Sequence, residues 1–235
     1  MSTTLLVVLV VVPAALVIVA LFLVLWRESR TTRQSLVAVI AGFVLLGWAI
    51  AAGLLAYHGY LRPANAESAP PVGLIIAVAF VAMALCLIVS RTLRSLLTNQ
   101  RYLIWLNVWR LEGLVFLLLM AQGQMPALWA LPAGIGDVIV GVSAPWVARD
   151  TVTPSGRRRA IIFNLFGLLD LIIAVGLGVM TNPGRFHFFH TLPTSELVTD
   201  FPLALVPTFL VPLAFALHIV SLWQLIGGKW SEIQP

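Results

Sequence analysis

Charged residues and cysteine are scarce in this chain. Only 10% of its 235 residues are charged and 60% are hydrophobic, whereas about a quarter of the residues of a soluble domain are charged. The one cysteine, Cys86, lies inside an apolar stretch, so an intrachain disulfide and a cysteine-based metal motif are both excluded. This composition predicts an all-α, polytopic membrane protein.

The apolar residues are arranged in long runs rather than in alternation with polar residues, which disfavours an outer-membrane barrel. A helix needs about 20 apolar residues to cross the hydrocarbon core. We therefore predict one membrane domain, residues 1–235, with seven transmembrane helices. The first of them is expected to be retained, because no basic n-region precedes it and no A-x-A cleavage site follows. The predicted limits are about 3–26, 35–57, 72–93, 102–122, 126–148, 160–180 and 203–226.

Arginine and lysine are distributed unevenly between the two sets of connections. Eleven lie in one set, including Arg157–Arg159 and Lys229, and only Arg62 and Arg185 lie in the other. Because positive residues concentrate on the cytoplasmic side, the N-terminus should be outside and the C-terminus cytoplasmic. Such an arginine belt suits the anionic headgroups of a lipid bilayer. It accounts for the net charge of +5 without any nucleic-acid partner.

The two halves of the chain differ in polarity. The first three predicted spans have no ionisable residue in their cores, so we interpret residues 1–100 as a three-helix apolar scaffold. Residues 101–235 form a four-helix half with four ionisable residues at bilayer depth. Such residues are rare, usually face the bundle interior and often mark function. They are Arg110, Glu112, Asp137 and Asp170.

Small residues accompany both aspartates at helical spacing. A stripe of small residues lets a neighbouring helix approach closely, which would place each aspartate in a helix–helix seam. The segments 134–142 and 167–175 also resemble each other, which raises the possibility of an internal repeat with its site near the midplane. The two stripes are Ala130, Ala133, Gly134, Asp137, Gly141 and Ala144 on the fifth span, and Asn164, Gly167, Asp170, Ala174 and Gly178 on the sixth.

Arg110 is the natural counter-charge to these aspartates. It shares a face of the fourth span with Asn107, whereas Glu112 lies about 200° round the helix, so Arg110 should pair with Asp137, Asp170 or both. If every group is ionised, three carboxylates and one arginine leave an excess of two negative charges. A dry interior does not hold such an excess, so the site should contain water, bind a cation or keep a carboxyl group protonated. The alternative is a set of structural ion pairs that fixes helix register.

Further polar residues lie nearer the predicted cytoplasmic side. Asn164, Ser143 and His218 could extend a polar path from the site, although ordinary helix–helix hydrogen bonding remains open for each. The seventh span contains Pro202, Pro207 and Pro212. Because proline removes a backbone hydrogen bond, this span should be bent.

Metal and cofactor signatures are weak. His187 and His190 in the outer connection 181–202 have Glu196 and Asp200 nearby, but HxxH is weak evidence for a metal and none is predicted. A covalent retinal is disfavoured because the only lysine, Lys229, follows the last span. A bis-histidine haem would need two inward histidines, and only His218 lies within a span. No cofactor is therefore expected.

Residues 134–137, Gly-Ile-Gly-Asp, resemble the GxGD motif of intramembrane aspartyl proteases, with Asp170 as the second aspartate. That family carries its other aspartate on the helix before GxGD, and the PAL motif is replaced here by Pro-Leu-Ala at Pro212. A carboxylate-based intramembrane hydrolase is therefore an alternative, and the sequence leans away from an enzyme.

The run from 102 to 226 resembles uncharacterised bacterial seven-helix membrane proteins in segments such as GDVIVGVSAPWVA, NLFGLLDLIIAVGLG and PLALVPTFLVPLAFALHIVSLWQL. The resemblance implies a bacterial inner membrane and no particular activity. The buried charges favour proton- or cation-coupled transport of a small solute or ion. The other alternative is a sensor or assembly subunit in which the charges are structural. The ligand residues expected for transport are Arg110, Glu112, Asp137, Asp170, Asn107, Asn164 and His218.

Overall fold

The fold is helical and contains no strand within residues 2–65 and 67–227, the part of the chain that the computed structural model describes. Seven stretches there are long and apolar enough to cross a bilayer, as predicted. Lys229 lies outside the described residues. In chain order the α-helices are α1 Thr3–Glu28, α2 Thr32–Tyr57, α3 Pro71–Val89, α4 Arg91–Leu96, α5 Gln100–Trp105, α6 Gly113–Ala121, α7 Ala127–Val147, α8 Pro154–Thr181 and α9 Val211–Gly227.

Side-chain caps determine where several helices begin. Thr31 and Gln34 form a reciprocal capping box at the start of α2. At α8 the Thr153 hydroxyl accepts from the backbone N–H of Gly156 at 3.1 Å. The third span ends at Val89 rather than near 93, because the chain leaves the helical conformation at Ser90 and the Ser90 hydroxyl caps the short helix α4.

Two spans are not continuous α-helix. The fourth, Gln100–Ala121, consists of α5, a 3₁₀ segment at Leu106–Glu112, and α6. The seventh begins with a π-helical segment at Val206–Leu210 and continues as α9. Irregular segments of both kinds are frequent at functional sites.

The irregular start of the seventh span coincides with two of the prolines from which a bend was predicted, Pro207 inside the π-helical segment and Pro212 just after it. Pro212 has no N–H to donate to the carbonyl of Thr208, four residues earlier. The indole Nε1 of Trp48 on α2 donates to this carbonyl instead, at 2.9 Å. A free backbone carbonyl at this depth has to be satisfied by protein or water, so Trp48 couples α2 to the π-helical start of the seventh span.

The 3₁₀ segment lies at the centre of the bundle. Helix α7 packs against it on one side and against α8 on the other, and both α1 and α9 also contact it. The fourth and seventh spans are the most buried, whereas α2 and α3 are the most exposed. The ionisable residues of the second half therefore lie inside the bundle, and α1 to α3 lie at its periphery.

The long connection after α8 is fixed to the rest of the fold. Arg62, in the connection between α2 and α3, donates to Asp200 through Nε at 2.6 Å and Nη2 at 2.7 Å. This hydrogen-bonded ion pair raises the pKa of Arg62 above its usual value. Buried Ser195 donates to the carbonyl of Gly178 at 2.9 Å and accepts from the Thr181 hydroxyl at 3.0 Å. The second half of the connection is thus anchored at two points, Ser195 and Asp200.

Candidate ion-binding site around Arg110

Arg110 is completely buried and joins three helices. Its Nε donates to Oδ1 of Asp137 on α7 at 2.6 Å, and its Nη2 donates to Oδ2 of Asp170 on α8. Its Nη1 lies 3.4 Å from the carbonyl oxygen of Gly167 and 3.2 Å from Nε2 of His218 on α9. The predicted pairing of Arg110 with both aspartates is confirmed. We refer to Arg110, Asp137 and Asp170 as the central cluster.

The predicted small-residue stripe of α7 makes this close approach possible. All six of its members are buried. A β-carbon on Gly141 would lie 2.7 Å from the backbone nitrogen of Leu111, and one on Gly113 would lie 2.5 Å from Cβ of Asp137. Larger residues at these positions would separate α7 from the 3₁₀ segment that carries Arg110.

The stripe of α8 is in contact with α9. Asn164, Gly167 and Asp170 are buried, while Ala174 and Gly178 are partly exposed. The ring of His218 lies directly against Gly167, where a β-carbon would be 2.4 Å from the ring. Glycine at this position therefore allows the ring to reach Arg110.

A row of hydrogen-bonded side chains leads from the central cluster to the end of the bundle where α5 begins and α9 finishes. His218 Nδ1 lies 2.9 Å from Oδ1 of Asn164, whose Nδ2 donates to the Ser221 hydroxyl at 2.7 Å. Ser221 donates to Oε1 of Gln100 at 2.7 Å. Gln100 Nε2 donates to Oε1 of Gln224 at 2.7 Å. We call these five residues the polar row.

Hydrogen bonding along the polar row has one direction. Arg110 is only a donor, so Nε2 of His218 must accept from it and Nδ1 must carry the proton that it gives to Asn164. This assignment is the neutral tautomer of the histidine, with a donor at one ring nitrogen and an acceptor at the other. The predicted path through Asn164 and His218 is therefore present, and it places a neutral His218 beside the cationic Arg110.

Two other predicted polar residues, Asn107 and Ser143, lie outside this network. The amide nitrogen of Asn107 donates to Leu103 and Ile104 of its own helix, and its Oδ1 has no partner in the described part of the chain. Ser143 donates to Val140 on its own helix. The side chains of Asn107 and Ser143 therefore extend no path from the cluster.

Glu112 is the exceptional carboxyl group. It is 6% exposed, and neither of its oxygens has a hydrogen-bond partner among residues 2–65 and 67–227. The next residue, Gly113, packs on Asp137 of α7. An ionised carboxylate without a donor in such a place costs several kcal/mol. If all three carboxyl groups are ionised, the predicted excess of two negative charges therefore remains after Arg110 is paired.

The outer histidines lie side by side, with the ring centroids of His187 and His190 4.8 Å apart. Within the described residues, no group of three or more His, Cys, Asp or Glu side chains is placed to hold a metal ion. The aspartyl-protease arrangement is also not reproduced. A proton-sharing dyad needs its carboxyl groups in direct contact, whereas the guanidinium of Arg110 bridges Asp137 and Asp170.

Sequence reasoning missed Gln100, Ser221 and Gln224. Ser221 and Gln224 follow His218 at i+3 and i+6, a spacing that places all three on one helix face. That spacing is the signal that identifies them. The contact with Gln100 joins residues 121 positions apart in the chain, and no local pattern announces it.

A protein-family model described as Domain of unknown function (DUF8737) matches residues 69–226, which is more than half of the chain and includes the central cluster and the polar row. The match confirms the resemblance to a family without an assigned activity. No curated protein and no solved structure matches the chain.

Proposed function

Since the chain belongs to the family described as Domain of unknown function (DUF8737), its activity has to be inferred from the site, and we propose proton- or cation-coupled transport of a small solute or ion across a membrane. The central cluster would bind the coupling ion. Glu112 would carry a proton or a cation close to it. Asn164 and His218 would position Arg110.

One observation carries this proposal: one guanidinium faces two aspartates, while a third carboxyl group, Glu112, is buried with no donor from the described residues. Each uncompensated ion in such an interior costs several kcal/mol. A proton or a metal cation removes that cost, and its departure restores it. Reversible occupancy by a cation is therefore a property that this arrangement favours.

The helix irregularities supply a means of coupling. Arg110 lies on the 3₁₀ segment, and the seventh span contains the π-helical segment. Transport proteins often build their sites from interrupted helices near the midplane. Neutralising Asp137 or Asp170 would weaken one ion pair with Arg110 and leave the other. The 3₁₀ segment, which carries Arg110, would then be held more strongly by one of the helices α7 and α8 than by the other.

We further propose the orientation and the division of labour. The N-terminus would be outside and the C-terminus cytoplasmic in a bacterial inner membrane, with residues 1–100 as scaffold and 101–235 as the site-bearing half. A reporter fused after residue 235 should be cytoplasmic, and one inserted between residues 185 and 195 should be periplasmic. The reverse result would contradict this orientation.

A second role is favoured by the complete engagement of Arg110, whose three guanidinium nitrogens all contact other helices. In that role the cluster only fixes helix register, as in a sensor or assembly subunit. If the cluster is only structural, its ion pairs stabilise the fold and no ion crosses the membrane. If the protein is a transporter, the ion pairs stabilise the fold and ions also cross, so flux measurements separate the two roles.

The test is ion flux in sealed vesicles. The purified chain is reconstituted into liposomes, and proton entry is followed with a pH-sensitive dye under a potassium diffusion potential, with and without a sodium gradient. Wild type should move protons, or sodium in exchange for protons, and Asp170→Asn should abolish this flux. Asp150→Asn, which removes a half-buried carboxylate in the connection before α8, is the matched control and should retain it. No flux above empty liposomes under any gradient would contradict transport driven by these ions.

A further inference from the structure

An apolar cavity of about 570 Å³ lies between the N-terminal helices and the last span. Its walls come from α1, α2, α3 and α9, and its floor comes from α4 and Leu97. Almost every lining side chain is apolar. The cavity is separate from the central cluster, because none of Arg110, Asp137 and Asp170 lines it.

The cavity opens sideways between α2 and α3. These helices make little direct contact with each other, because α2 packs on α1 and α3 packs on α9. Lining residues on both edges of the gap are more than half exposed, including Val44 on α2 and Leu85 on α3. In a bilayer this gap faces lipid tails, so an acyl chain can enter without crossing water.

The end of the cavity near α4 and the start of α2 is positively charged. Val37 and Ala41 line it at helical spacing, and Arg33 precedes Val37 by four residues on the same face of α2. Arg94 on α4 lies on the other side and lines an adjoining cavity. Neither arginine lines the apolar cavity itself. Their neighbours in the chain are in contact, because Gln34 Nε2 lies 3.5 Å from the Ser95 hydroxyl, so both arginines belong to this end of the cavity.

Arg94 is held in place by two backbone carbonyls and still has N–H donors available. Its Nη1 donates to the carbonyl of Leu87 and, at 2.6 Å, to that of Ile88, at the end of α3. Both of these bonds use Nη1, and no bond of Nε or Nη2 is found within the described residues. Arg33 is exposed. Guanidinium groups bind phosphate oxygens in preference to neutral groups. The rim therefore complements an anionic headgroup.

We propose that this cavity binds an anionic phospholipid, with one acyl chain between α2 and α3 and the phosphate at Arg33 and Arg94. The binding site is independent of the transport proposal. It assigns a specific role to the N-terminal half, where the lipid replaces protein packing that α2 and α3 do not make with each other.

Cys86 provides the probe. It is the only cysteine in the chain, it is exposed, and it lines the cavity. The full chain is purified in a neutral detergent and Cys86 is modified with a lipophilic maleimide. The rate is measured with added phosphatidylglycerol or with phosphatidylcholine of identical acyl chains. Phosphatidylglycerol should slow the modification at a concentration at least fivefold below that needed for phosphatidylcholine. Glycerol phosphate, which has no acyl chain, should not slow it.

Substitutions then test the rim. One arginine near an anionic lipid changes affinity by about fivefold, so Arg33→Gln and Arg94→Gln should each raise the protective concentration about fivefold. Arg158→Gln, which removes an exposed arginine of α8, is the matched control and should leave it unchanged. Absence of protection by phosphatidylglycerol, equal protection by phosphatidylcholine, protection by glycerol phosphate, or an equal effect of Arg158→Gln would each overturn the proposal.

Discussion

The carboxyl group of Asp170 on α8 lies against Gly136 on α7, so closely that a β-carbon at position 136 would be 1.7 Å from Oδ1 of Asp170. The absence of a side chain at Gly136 therefore permits Asp170 to reach Arg110. Gly136 was not part of the predicted stripe of small residues, because it faces α8 whereas the stripe includes the residues that face the 3₁₀ segment.

Gly136→Ala should consequently displace Asp170 and weaken its pair with Arg110. Overpacking of this kind typically destabilises a protein by about 1–3 kcal/mol. Gly176→Ala on α8 is the matched control, because a β-carbon there meets no atom within 4 Å. Alanine should be neutral there or stabilise the helix by up to about 1 kcal/mol. Thermal unfolding in detergent measures both, and equal effects would contradict the proposed contact.

Arg110→Ala should destabilise the protein by about 3–5 kcal/mol, because it leaves two buried carboxylates without a counter-charge. Asp137→Asn or Asp170→Asn in that background should restore part of the loss. Arg110→Lys keeps the charge but loses the forked geometry, so its effect should be intermediate. A double-mutant cycle from unfolding measurements gives the coupling energies. The pairing would be rejected if neither aspartate is coupled to Arg110.

Much of this cluster could be predicted from the sequence. The small-residue stripes follow from helical periodicity, and the pairing of Arg110 with Asp137 and Asp170 follows from the shortage of other cations at bilayer depth. The 3₁₀ geometry of residues 106–112 could not be predicted. The sequence there fits an ordinary α-helix, and tertiary packing against α7 and α1 accompanies the tighter winding.

Contacts between segments that are far apart in the chain could not be predicted from the sequence either. The prolines predicted a bend in the seventh span, but nothing near Pro212 indicates that Trp48 satisfies the carbonyl of Thr208. Likewise, Gln100 completes the polar row only because α5 packs against α9. Periodicity assigns residues to a face of one helix, and the identity of the helix that covers that face depends on the whole fold.

Trp48→Phe tests the hydrogen bond between Trp48 and the Thr208 carbonyl. It removes the indole donor and leaves the Thr208 carbonyl unsatisfied, which should cost about 1–3 kcal/mol. Pro212→Ala restores a backbone N–H four residues after Thr208. Trp48→Phe should therefore cost less stability when it is added to Pro212→Ala than when it is added to wild type. Trp105→Phe, a substitution at an exposed tryptophan of α5, controls for the change of ring. Equal losses of stability from Trp48→Phe in wild type and in Pro212→Ala would contradict the proposed role of Trp48 at the Thr208 carbonyl.

Asp150, in the connection before α8, should give a pH-dependent contribution to stability. Hydrogen bonds from the Thr153 hydroxyl and backbone, with help from Arg159, lower the pKa of Asp150 below its usual value. A folded-state pKa below the unfolded one stabilises the fold above the unfolded pKa, about 3.9, and this contribution disappears as the pH falls through the lowered pKa. Asp150→Asn should therefore lower the unfolding temperature at neutral pH, and the difference should shrink in strong acid. Arg158→Gln should show no such change with pH, and a pH-independent difference for Asp150→Asn would contradict the assignment.

The most direct test of the proposed site is the protonation of its carboxyl groups, measured by infrared difference spectroscopy of the purified chain during a pH change. If the site binds an exchangeable cation, wild type should show a protonated-carboxyl band that weakens as the pH rises or when sodium is added. The band should be missing from at least one of Glu112→Gln, Asp137→Asn and Asp170→Asn, and Asp150→Asn should leave it unchanged. If folded wild type shows no such band at any pH and sodium does not alter its unfolding temperature, the cluster holds no exchangeable ion and the transport proposal is wrong.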